Sequence, residues 1–203
     1  APLDSTRSDS ITYEVIKAFH RVRFYKSDVQ GVCDSLVYHA LDSMIYLCTE
    51  PIVWSEENQM TGLDIRLKLG ENNTKMEKII IESDAFLVAQ SDEDQFNQMK
   101  SKSLVGYIKN NELVRVDMFQ NGETIYYMKD DDEVVGVNKA VCSDISAYLK
   151  KGKIDHIVFN NKPEGTFSPL SQFPKNQLKL DQFNWFDAVR PVDSQDVFYW
   201  RKR

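Results

Sequence analysis

The sequence predicts an all-β fold of repetitive antiparallel strands, and three observations carry that prediction. Many of the 11 Phe, 9 Tyr and 3 Trp fall in short runs rich in Ile, Val and Thr, the residue types that are enriched in strands. Apolar and polar residues alternate along several of these runs, as in a strand with one apolar face. A plan of strand, polar turn and second strand also recurs four times along the chain.

The four repeats are marked by polar turns, whose centres lie near residues 42, 72, 111 and 152. Their steps are about 30, 39 and 41 residues, within the range typical of stacked repeats. Further strand-like runs occupy residues 22–25, 52–54, 85–89 and 124–128. Asn121-Gly122 predicts another tight turn. Only residues 95–100 and the last dozen residues predict short helices.

Two strands show the alternation most clearly. Between Leu63 and Leu69, Leu and Ile alternate with Asp, Arg and Lys, and between Val114 and Met118, Val and Met alternate with Arg and Asp. Strands of this kind form long antiparallel sheets that must fold over one another to hide their apolar faces. We expect the interior to be either a narrow apolar channel or a closed core.

The sequence changes character after Asn160. Prolines interrupt it at 163, 169 and 174, and proline lacks the N–H that a sheet ladder needs. Bulky apolar anchors follow: Phe183, Trp185, Phe186, Phe198, Tyr199 and Trp200. We therefore predict a lead-in over residues 1–14, a repetitive β domain over residues 15–160, and an irregular tail over residues 161–203. The tail is expected to pack over the last strands and cap an exposed edge.

Charge and composition argue against several classes of protein. A net charge of −6 argues against nucleic acid as the main partner, because phosphate neutralisation needs a basic excess. No apolar run approaches the roughly 20 residues of a membrane-spanning helix, and no charged-then-apolar signal segment opens the chain. Cys33, Cys48 and Cys142 lack metal-type spacing, so we predict neither a disulfide framework nor a zinc site.

No catalytic frame is evident in the sequence. The three histidines are far apart and stand outside any HExxH pattern, and there is no Gly-x-Ser-x-Gly elbow or glycine-rich phosphate loop. The acidic run 130–133 could hold calcium, although a solvated acidic turn is the favoured interpretation. Asp64, Asp117 and Asp155 on polar strand faces leave open a glycosidase pair. We predict no catalytic residue, no metal and no cofactor.

Several segments resemble the repeat unit of the OstA-like (lipopolysaccharide-transport) family. Residues 22–38, VRFYKSDVQGVCDSLVY, are similar to the family pattern in which a short strand leads through a polar turn to Gly-x-x-Asp/Ala-x-apolar-x-Tyr, and residues 59–69 repeat the unit. Later segments are similar to longer OstA-like proteins: 122–127, 136–140, 162–166, 183–185 and 190–191. The resemblance covers nearly all of residues 15–191.

The resemblance implies a β-taco, in which two antiparallel sheets form a V-shaped, jellyroll-like groove. It also implies a periplasmic, non-enzymatic protein whose groove shields lipopolysaccharide acyl chains, with end-to-end contact to itself or to other lipopolysaccharide-transport proteins. The Pro/Trp-rich tail departs from the shorter family members, and it could block one end of the groove. The expected groove residues are Ile65, Leu67, Ile79, Ile81, Phe86, Val88, Val114, Val116, Ile125 and Tyr127.

Three alternatives stay open at the level of sequence. Alternating Leu, Ile and Val also build an ordinary closed core, and either face of residues 79–81 or of the strand around Phe86 could be the inner one. A structural or assembly module would pair with partner proteins through exposed edge strands. A sandwich-fold hydrolase acting on glycans would need two facing carboxylates in a cleft.

Overall fold

The computed structural model describes residues 12–70, 75–130 and 133–202, which form fourteen antiparallel strands and four 3₁₀ turns. The strands are β1 (Val15–Lys26), β2 (Val29–His39), β3 (Met44–Cys48), β4 (Ile52–Ser55), β5 (Asn58–Thr61), β6 (Asp64–Leu69), β7 (Met76–Ile81), β8 (Ala85–Asp92), β9 (Gln95–Ser101), β10 (Ser103–Lys109), β11 (Glu112–Asp130), β12 (Glu133–Lys150), β13 (Lys153–Asn160) and β14 (Glu164–Ser168). The 3₁₀ turns are Leu170–Gln172, Lys175–Gln177, Asp187–Val189 and Asp196–Phe198. The predicted all-β fold is confirmed.

The strands form an antiparallel meander that is bent over on itself. β3, β6, β7, β10 and β13 belong to one half, which we call sheet A, and β4, β5, β8, β9 and β14 belong to the other, sheet B. β1, β2, β11 and β12 are long enough to cross both halves, so they join the two sheets at either end. The result is two facing sheets, the taco-like arrangement expected for the fold.

The two sheets meet along one seam, where the chain bends from one sheet into the other. Four pairs of residues with left-handed backbone, with φ of 52–64°, make these bends: His20-Arg21, Thr49-Glu50, Gln120-Asn121 and Asn161-Lys162. In β1 and β11 the pair lies opposite a single residue of the next strand, so it is a bulge. The tight turn predicted at Asn121-Gly122 is therefore wrong, because β11 continues through this bulge.

The side opposite the seam is bordered by hairpin turns from both sheets, and we call it the mouth. Sheet A contributes turns at 40–43, 110–111 and 151–152, which confirms the turns predicted near 42, 111 and 152. Sheet B contributes turns at 27–28, 56–57 and 93–94. The predicted turn near residue 72 and the centre of the acidic run 130–133 fall on residues 71–74 and 131–132, which lie outside the described residues.

The short helix predicted over residues 95–100 is wrong, because these residues belong to β9. Asn97, Gln98 and Met99 are buried in succession, so both faces of the strand are covered. Met99 packs between the sheets, whereas the Gln98 amide bonds to the tail. The strand was not recognised from its sequence because the buried polar residues Asn97 and Gln98 interrupt the alternation of apolar and polar residues.

The tail extends the edge of β12 and then crosses the outer face of sheet B. It adds β14 beside β12, and its last 3₁₀ turn lies against β1, at the other end of the sheet. The segment predicted as irregular thus contains one strand. Because the described part of the tail lies over a sheet face, it does not occupy the space between the sheets and does not block an end of that space.

Candidate functional site

The space between the sheets is filled by one aliphatic cluster, which we call the interior. Its buried members are Val29, Cys33, Leu47, Val53, Met60, Ile65, Leu67, Met76, Ile79, Ile81, Ala85, Leu87, Ala89, Met99, Leu104, Leu113, Val116, Met118, Cys142, Ile145, Ala147 and Leu149. These buried members include no aromatic residue. Two half-buried aromatics, Phe24 on β1 and Phe159 on β13, pack against the cluster from the two terminal strands.

Five of the ten residues predicted to line a groove lie together in this interior. They are Ile65, Leu67, Ile79, Ile81 and Val116, and each is fully buried. Ile79 and Ile81 therefore face inward, and Ile80, the residue between them, is half-buried on the outer face. The alternation of the sequence places these five together because residues 65–67, 79–81 and 116–118 pair without a bulge.

Four others, Phe86, Val88, Ile125 and Tyr127, lie on the outer face of sheet B beneath the tail. In β8 the residue between the first two, Leu87, faces the interior instead. In β11 even-numbered residues point inward on both sides of the seam, since Val116 and Met118 belong to the interior and Gly122 lies against Ile145, so the odd-numbered Ile125 faces the tail. These four residues do not share a surface with the interior five.

Val114 belongs to neither cluster. It is the extra residue of a bulge in β11, since Tyr107 pairs with Arg115 while Ile108 pairs with Leu113. Leu113 consequently takes the inward position and is fully buried, whereas Val114 is half-buried. A one-residue bulge beside a hairpin has no clear signal in a single sequence, so Leu113 was missed.

The mouth is closed by contacts between hairpins of the two sheets. Asn58 Nδ2 of sheet B donates to the Gly152 carbonyl of sheet A at 2.8 Å. A Cβ atom built on Gly152 would stand 2.9 Å from Glu56 Cβ, so the two hairpin tips touch. Burial, with Glu112 and Glu57 nearby, raises the pKa of Glu56. The raised pKa indicates that the Glu56 carboxyl group is partly removed from water where the two hairpins touch at the mouth.

A polar cleft of about 370 Å³ lies beside that contact. Residues from the hairpins of both sheets line it, among them Glu57, Asn97, Tyr126, Lys129 and Asp155. Burial raises the pKa of the Tyr126 phenol, which keeps the hydroxyl protonated as a donor. The inner surface is therefore aliphatic in depth and polar at the mouth, an arrangement suited to an amphiphile.

The tail-covered face of sheet B is built differently from the interior. Its two clusters contain Phe86, Tyr127, Phe173, Trp54, Val32, Ile52, Val88, Ile125, Val137, Leu180 and Val189 as buried members. Phe96 packs against both Phe183 and Trp185, with ring centroids 5.4 and 5.3 Å apart. These aromatic pairs give a rigid, shape-specific contact.

Buried glutamines of sheet B hold the backbone of the tail. Gln98 donates to the Leu178 carbonyl and accepts from the Leu180 N–H, both at 2.8 Å. Gln59 donates to the Asn184 carbonyl at 2.8 Å and accepts from the Phe186 N–H at 2.7 Å. Each side-chain amide thus satisfies two backbone groups of a segment that has little secondary structure of its own.

An ion cluster fixes the end of the tail to β1. Arg23 and Arg201 both bond to Asp196, with the Arg23 Nη2–Asp196 Oδ2 distance at 3.3 Å and the Arg201 Nη1–Asp196 Oδ2 distance at 2.8 Å. The Arg201 side chain, with smaller contributions from the Val192 N–H and from Arg23, lowers the pKa of Asp196. Arg23 also donates to the Val189 carbonyl at 3.0 Å.

The predicted alternative chemistry finds little support in this geometry. Asp64 and Asp117 lie three strands apart in sheet A, roughly 14 Å at the spacing of neighbouring strands. A glycosidase pair needs about 5–9.5 Å. Asp155 bonds to Lys150 and His156 instead. Within residues 12–70, 75–130 and 133–202 there is no cluster of three metal-ligating side chains, and no helix there is long and apolar enough to cross a membrane.

The fold is similar to that of a solved structure, the crystal structure of LptH, the LptA homologous periplasmic component of the conserved lipopolysaccharide transport device from Pseudomonas aeruginosa. The TM-score is 0.52 at 11% sequence identity, and the match covers 71% of this chain and 100% of that chain. No family model matches the sequence, and no curated protein does either. At this identity the likeness shows a shared fold alone.

Proposed function

We propose that the protein binds lipopolysaccharide and carries its acyl chains between sheets A and B, as a non-enzymatic component of lipopolysaccharide transport. The observation that carries this proposal is the composition of the interior, whose buried members are all aliphatic or sulfur-containing while aromatics gather under the tail. Methylene chains can pack against an aliphatic surface in many orientations, because such contacts are not directional. The likeness of the fold to a periplasmic lipopolysaccharide-transport component supports the same function and a periplasmic location.

Ile65, Leu67, Ile79, Ile81 and Val116 would make the central contacts with acyl chains. Each methylene group that they bury contributes about 0.8 kcal/mol. Met60, Met76, Met99 and Met118 line the same interior. Unbranched thioether side chains repack readily around ligands of different shape, which suits a carrier of variable acyl chains.

Binding requires the sheets to separate at the mouth, because the interior side chains fill the space between them. The seam is continuous backbone, so it serves as the hinge line, and the hairpins of the mouth move apart. The contact between Asn58 and Gly152 is a single hydrogen bond between the sheets, a net cost of about 0.5–1.5 kcal/mol to break. Acyl chains that replace the lost side-chain contacts offset this cost.

Photo-crosslinking to lipopolysaccharide tests the proposal. A photoreactive residue at position 116 points into the interior, while one at position 80 points to the outer face of sheet A. The proposal predicts lipid adducts at 116 and none at 80, in protein shown by circular dichroism to be folded. Adducts at neither position would contradict it and would indicate a permanently closed core.

The terminal strands favour a second candidate function, assembly through sheet edges. Within the described ranges 12–70, 75–130 and 133–202, β1 pairs with β2 alone, and β13 and β14 pair with β12 alone, so each end of the meander there presents an open strand edge. Both edges bend at a left-handed pair, His20-Arg21 or Asn161-Lys162, so their shapes correspond. Head-to-tail pairing with a second copy, or with another lipopolysaccharide-transport protein, would then continue both sheets.

Light-scattering mass measurement separates the two candidates. If edges serve assembly alone, association depends on concentration and on substitutions in β1, such as Val22→Pro, and lipopolysaccharide has no effect on the mass. If the interior carries lipid along such an array, the same substitution lowers association while adducts at position 116 persist in the monomer. Loss of both would show that the substitution had unfolded the sheet.

A further inference from the structure

A row of cationic and aromatic side chains runs along the outer face of sheet A, one residue on each of six neighbouring strands. We call it the lip row: Lys68, Lys78, Tyr107, Arg115, Tyr148 and His156. Each member pairs in register with the next, so the side chains stand side by side across the sheet. None of these residues takes part in the interior or in the contact with the tail.

The members of the lip row stack on one another. Lys78 Nζ lies 5.5 Å from the Tyr107 ring, and Arg115 Cζ lies 5.7 Å from the same ring. Arg115 Cζ also lies 5.4 Å from the Tyr148 ring, so the guanidinium stands between two phenol rings. Tyr148 and His156 are stacked with ring centroids 4.6 Å apart and planes 12° apart.

The position of the row is set by bulges at the mouth. On β7, β11 and β13 the next residue toward the hairpin is an extra residue without a partner: Glu77, Val114 and Asp155. The lip row therefore occupies the last regular position of sheet A before the rim. A group that leaves the interior through the mouth and bends outward over sheet A meets this row first.

The surface of the row remains available to a ligand. The side chain of Arg115 is 43% exposed and that of His156 is 55% exposed. Arg115 Nε donates to Asp117 at 2.8 Å, and among the described hydrogen bonds its two terminal amino groups have no acceptor. Such a guanidinium, held in place on one side, is suited to bidentate recognition of a phosphate.

The chemistry of the row selects an anionic saccharide. Lysine and arginine attract phosphate, and the phenol hydroxyls of Tyr107 and Tyr148, whose ring faces are covered by their neighbours in the row, can exchange hydrogen bonds with sugar hydroxyls. Lys78 and Arg115 stand two strands apart, about 10 Å at the usual strand spacing. Two phosphates on neighbouring sugars can be engaged over that span with a tyrosine between them. The chain as a whole carries a charge of −6, so a local cationic row is a specific feature of this face.

We propose that the lip row binds the phosphorylated saccharide part of lipopolysaccharide while the acyl chains occupy the interior. This inference rests on the proposed function and extends it by assigning a second site to the same amphiphile. The row anchors the head group outside the mouth and so fixes the direction in which the acyl chains enter. The stacking between strands could be explained by a contribution to stability alone. The exposed Arg115 guanidinium and the position of the row beside the mouth favour ligand binding instead.

The test measures binding of lipopolysaccharide from which all acyl chains have been removed, by isothermal titration calorimetry. The phosphorylated saccharide is expected to bind the unmodified protein, and Arg115→Gln or Tyr148→Leu to weaken binding at least tenfold. Treating the saccharide with phosphatase should weaken binding to the same extent and abolish the difference between Arg115→Gln and the unmodified protein.

Matched controls lie on the same face of sheet A, one row nearer the seam. Arg66→Gln and Tyr46→Leu are expected to change the affinity less than twofold. Equal loss in Arg66→Gln and Arg115→Gln, or undiminished binding in Arg115→Gln, would overturn the assignment of the row. So would failure of the unmodified protein to bind the phosphorylated saccharide.

Crosslinking at position 116 keeps this inference distinct from the proposed function. If saccharide binding is absent while intact lipopolysaccharide still forms adducts at 116, the lip row is refuted and the transport function stands. If the saccharide binds through the row while no adducts form at 116, the row is a saccharide site and the interior is closed to lipid. Circular dichroism and thermal unfolding of each variant exclude loss of fold as the cause of either result.

Discussion

The two apolar regions of this molecule, the interior and the tail-covered face of sheet B, are built from the same strands and differ in chemistry. β4 and β8 contribute to both, since Val53 and Leu87 point inward while Trp54 and Phe86 point toward the tail. The interior is aliphatic and is held closed at the mouth by few contacts. The tail-covered face is aromatic and is fastened by buried amides and an ion cluster.

The difference shows that the two sides of sheet B perform different tasks. Aromatic stacking, amide pairs to backbone and buried charges each specify one geometry, so the tail side holds sheet B in a fixed shape. Aliphatic side chains pack without such directional demands. Under the proposed function, sheet B is therefore the rigid wall, and sheet A, over which no described residue forms such a cover, is the wall that moves to admit acyl chains.

The largest expected effect follows from removing the cover. A chain ending after Ser168 would expose large apolar side chains such as Trp54, Phe86 and Tyr127, each worth about 1.5–3 kcal/mol of burial. The sum is comparable to the 5–15 kcal/mol that typically stabilises a domain. We expect no cooperative thermal transition by circular dichroism. A truncated protein with an unfolding midpoint within a few degrees of the full chain would show the tail to be dispensable.

A matched pair of valines compares the two sides directly. Val53 and Val88 are both fully buried, the first in the interior and the second under the tail. We expect Val88→Ala to cost about 2–3 kcal/mol, because the fixed aromatic contacts cannot close the cavity, and Val53→Ala about 1–2 kcal/mol, because flexible neighbours such as Met60 can relax into it. Urea unfolding gives both values. The reverse order would make the interior the more rigid side.

Removing one of the buried glutamines that hold the tail should lower the stability by less, and mainly near the tail. Gln98→Leu leaves the Leu180 N–H and the Leu178 carbonyl without partners, which costs about 1–3 kcal/mol. Hydrogen exchange should show faster exchange at Leu180 and nearby tail amides, with the amides of β6 and β7 unchanged. Gln90→Leu, on the exposed part of β8, serves as the control. Uniform acceleration over the whole chain would contradict a local role.

The smallest expected effect concerns pH. The pKa of Asp196 is lowered in the folded protein by Arg201 and its other donors. Its contribution to stability is therefore present above the unfolded pKa of about 3.9 and is lost as the pH falls through the lowered folded value. We expect the protection factors of the amides in residues 192–199, which are exchange rates corrected for the intrinsic effect of pH, to fall in acid below about pH 4, and Asp196→Asn to remove this dependence. Protection factors that do not change with pH in the unmodified protein would show that the ion cluster does not hold the end of the tail.

The sequence predicted the part of the fold that follows simple periodicity. Regular strands such as β6 and β7 show which residues face the interior, and polar turns at 42, 111 and 152 show where the chain reverses. Two features escaped prediction for a physical reason. Bulges such as that at Val114 change the inward parity without a sequence signal, and β8 is apolar on both faces because the tail covers its outer side.

The candidate site was therefore only half predictable. Ile65, Leu67, Ile79, Ile81 and Val116 could be selected from alternation, which also places Ile125 and Tyr127 on the opposite face of β11 from Val116. Which face Phe86 and Val88 occupy depends on where a distant tail packs. The lip row also depends on register across six strands. Register is a property of pairing, so no single segment of the sequence displays it.

Opening at the mouth is the central claim, and a reversible staple across the mouth tests it most directly. Glu56→Cys with Gly152→Cys places two thiols where the hairpin tips touch, in a background with the native Cys33, Cys48 and Cys142 changed to Ala. A shift of about 1 Å would bring the Cβ atoms to the 3.5–4.5 Å of a disulfide. The variant with Glu56→Cys alone is the control.

The measurement is lipopolysaccharide crosslinking at position 116 before and after reduction of this staple. Opening at the mouth predicts adducts in the reduced protein, their loss on oxidation and their return with reductant, with no redox effect in the control. Equal adducts in the oxidised and reduced forms of the stapled protein would contradict the account, because lipid would then reach the interior without separation of the hairpins.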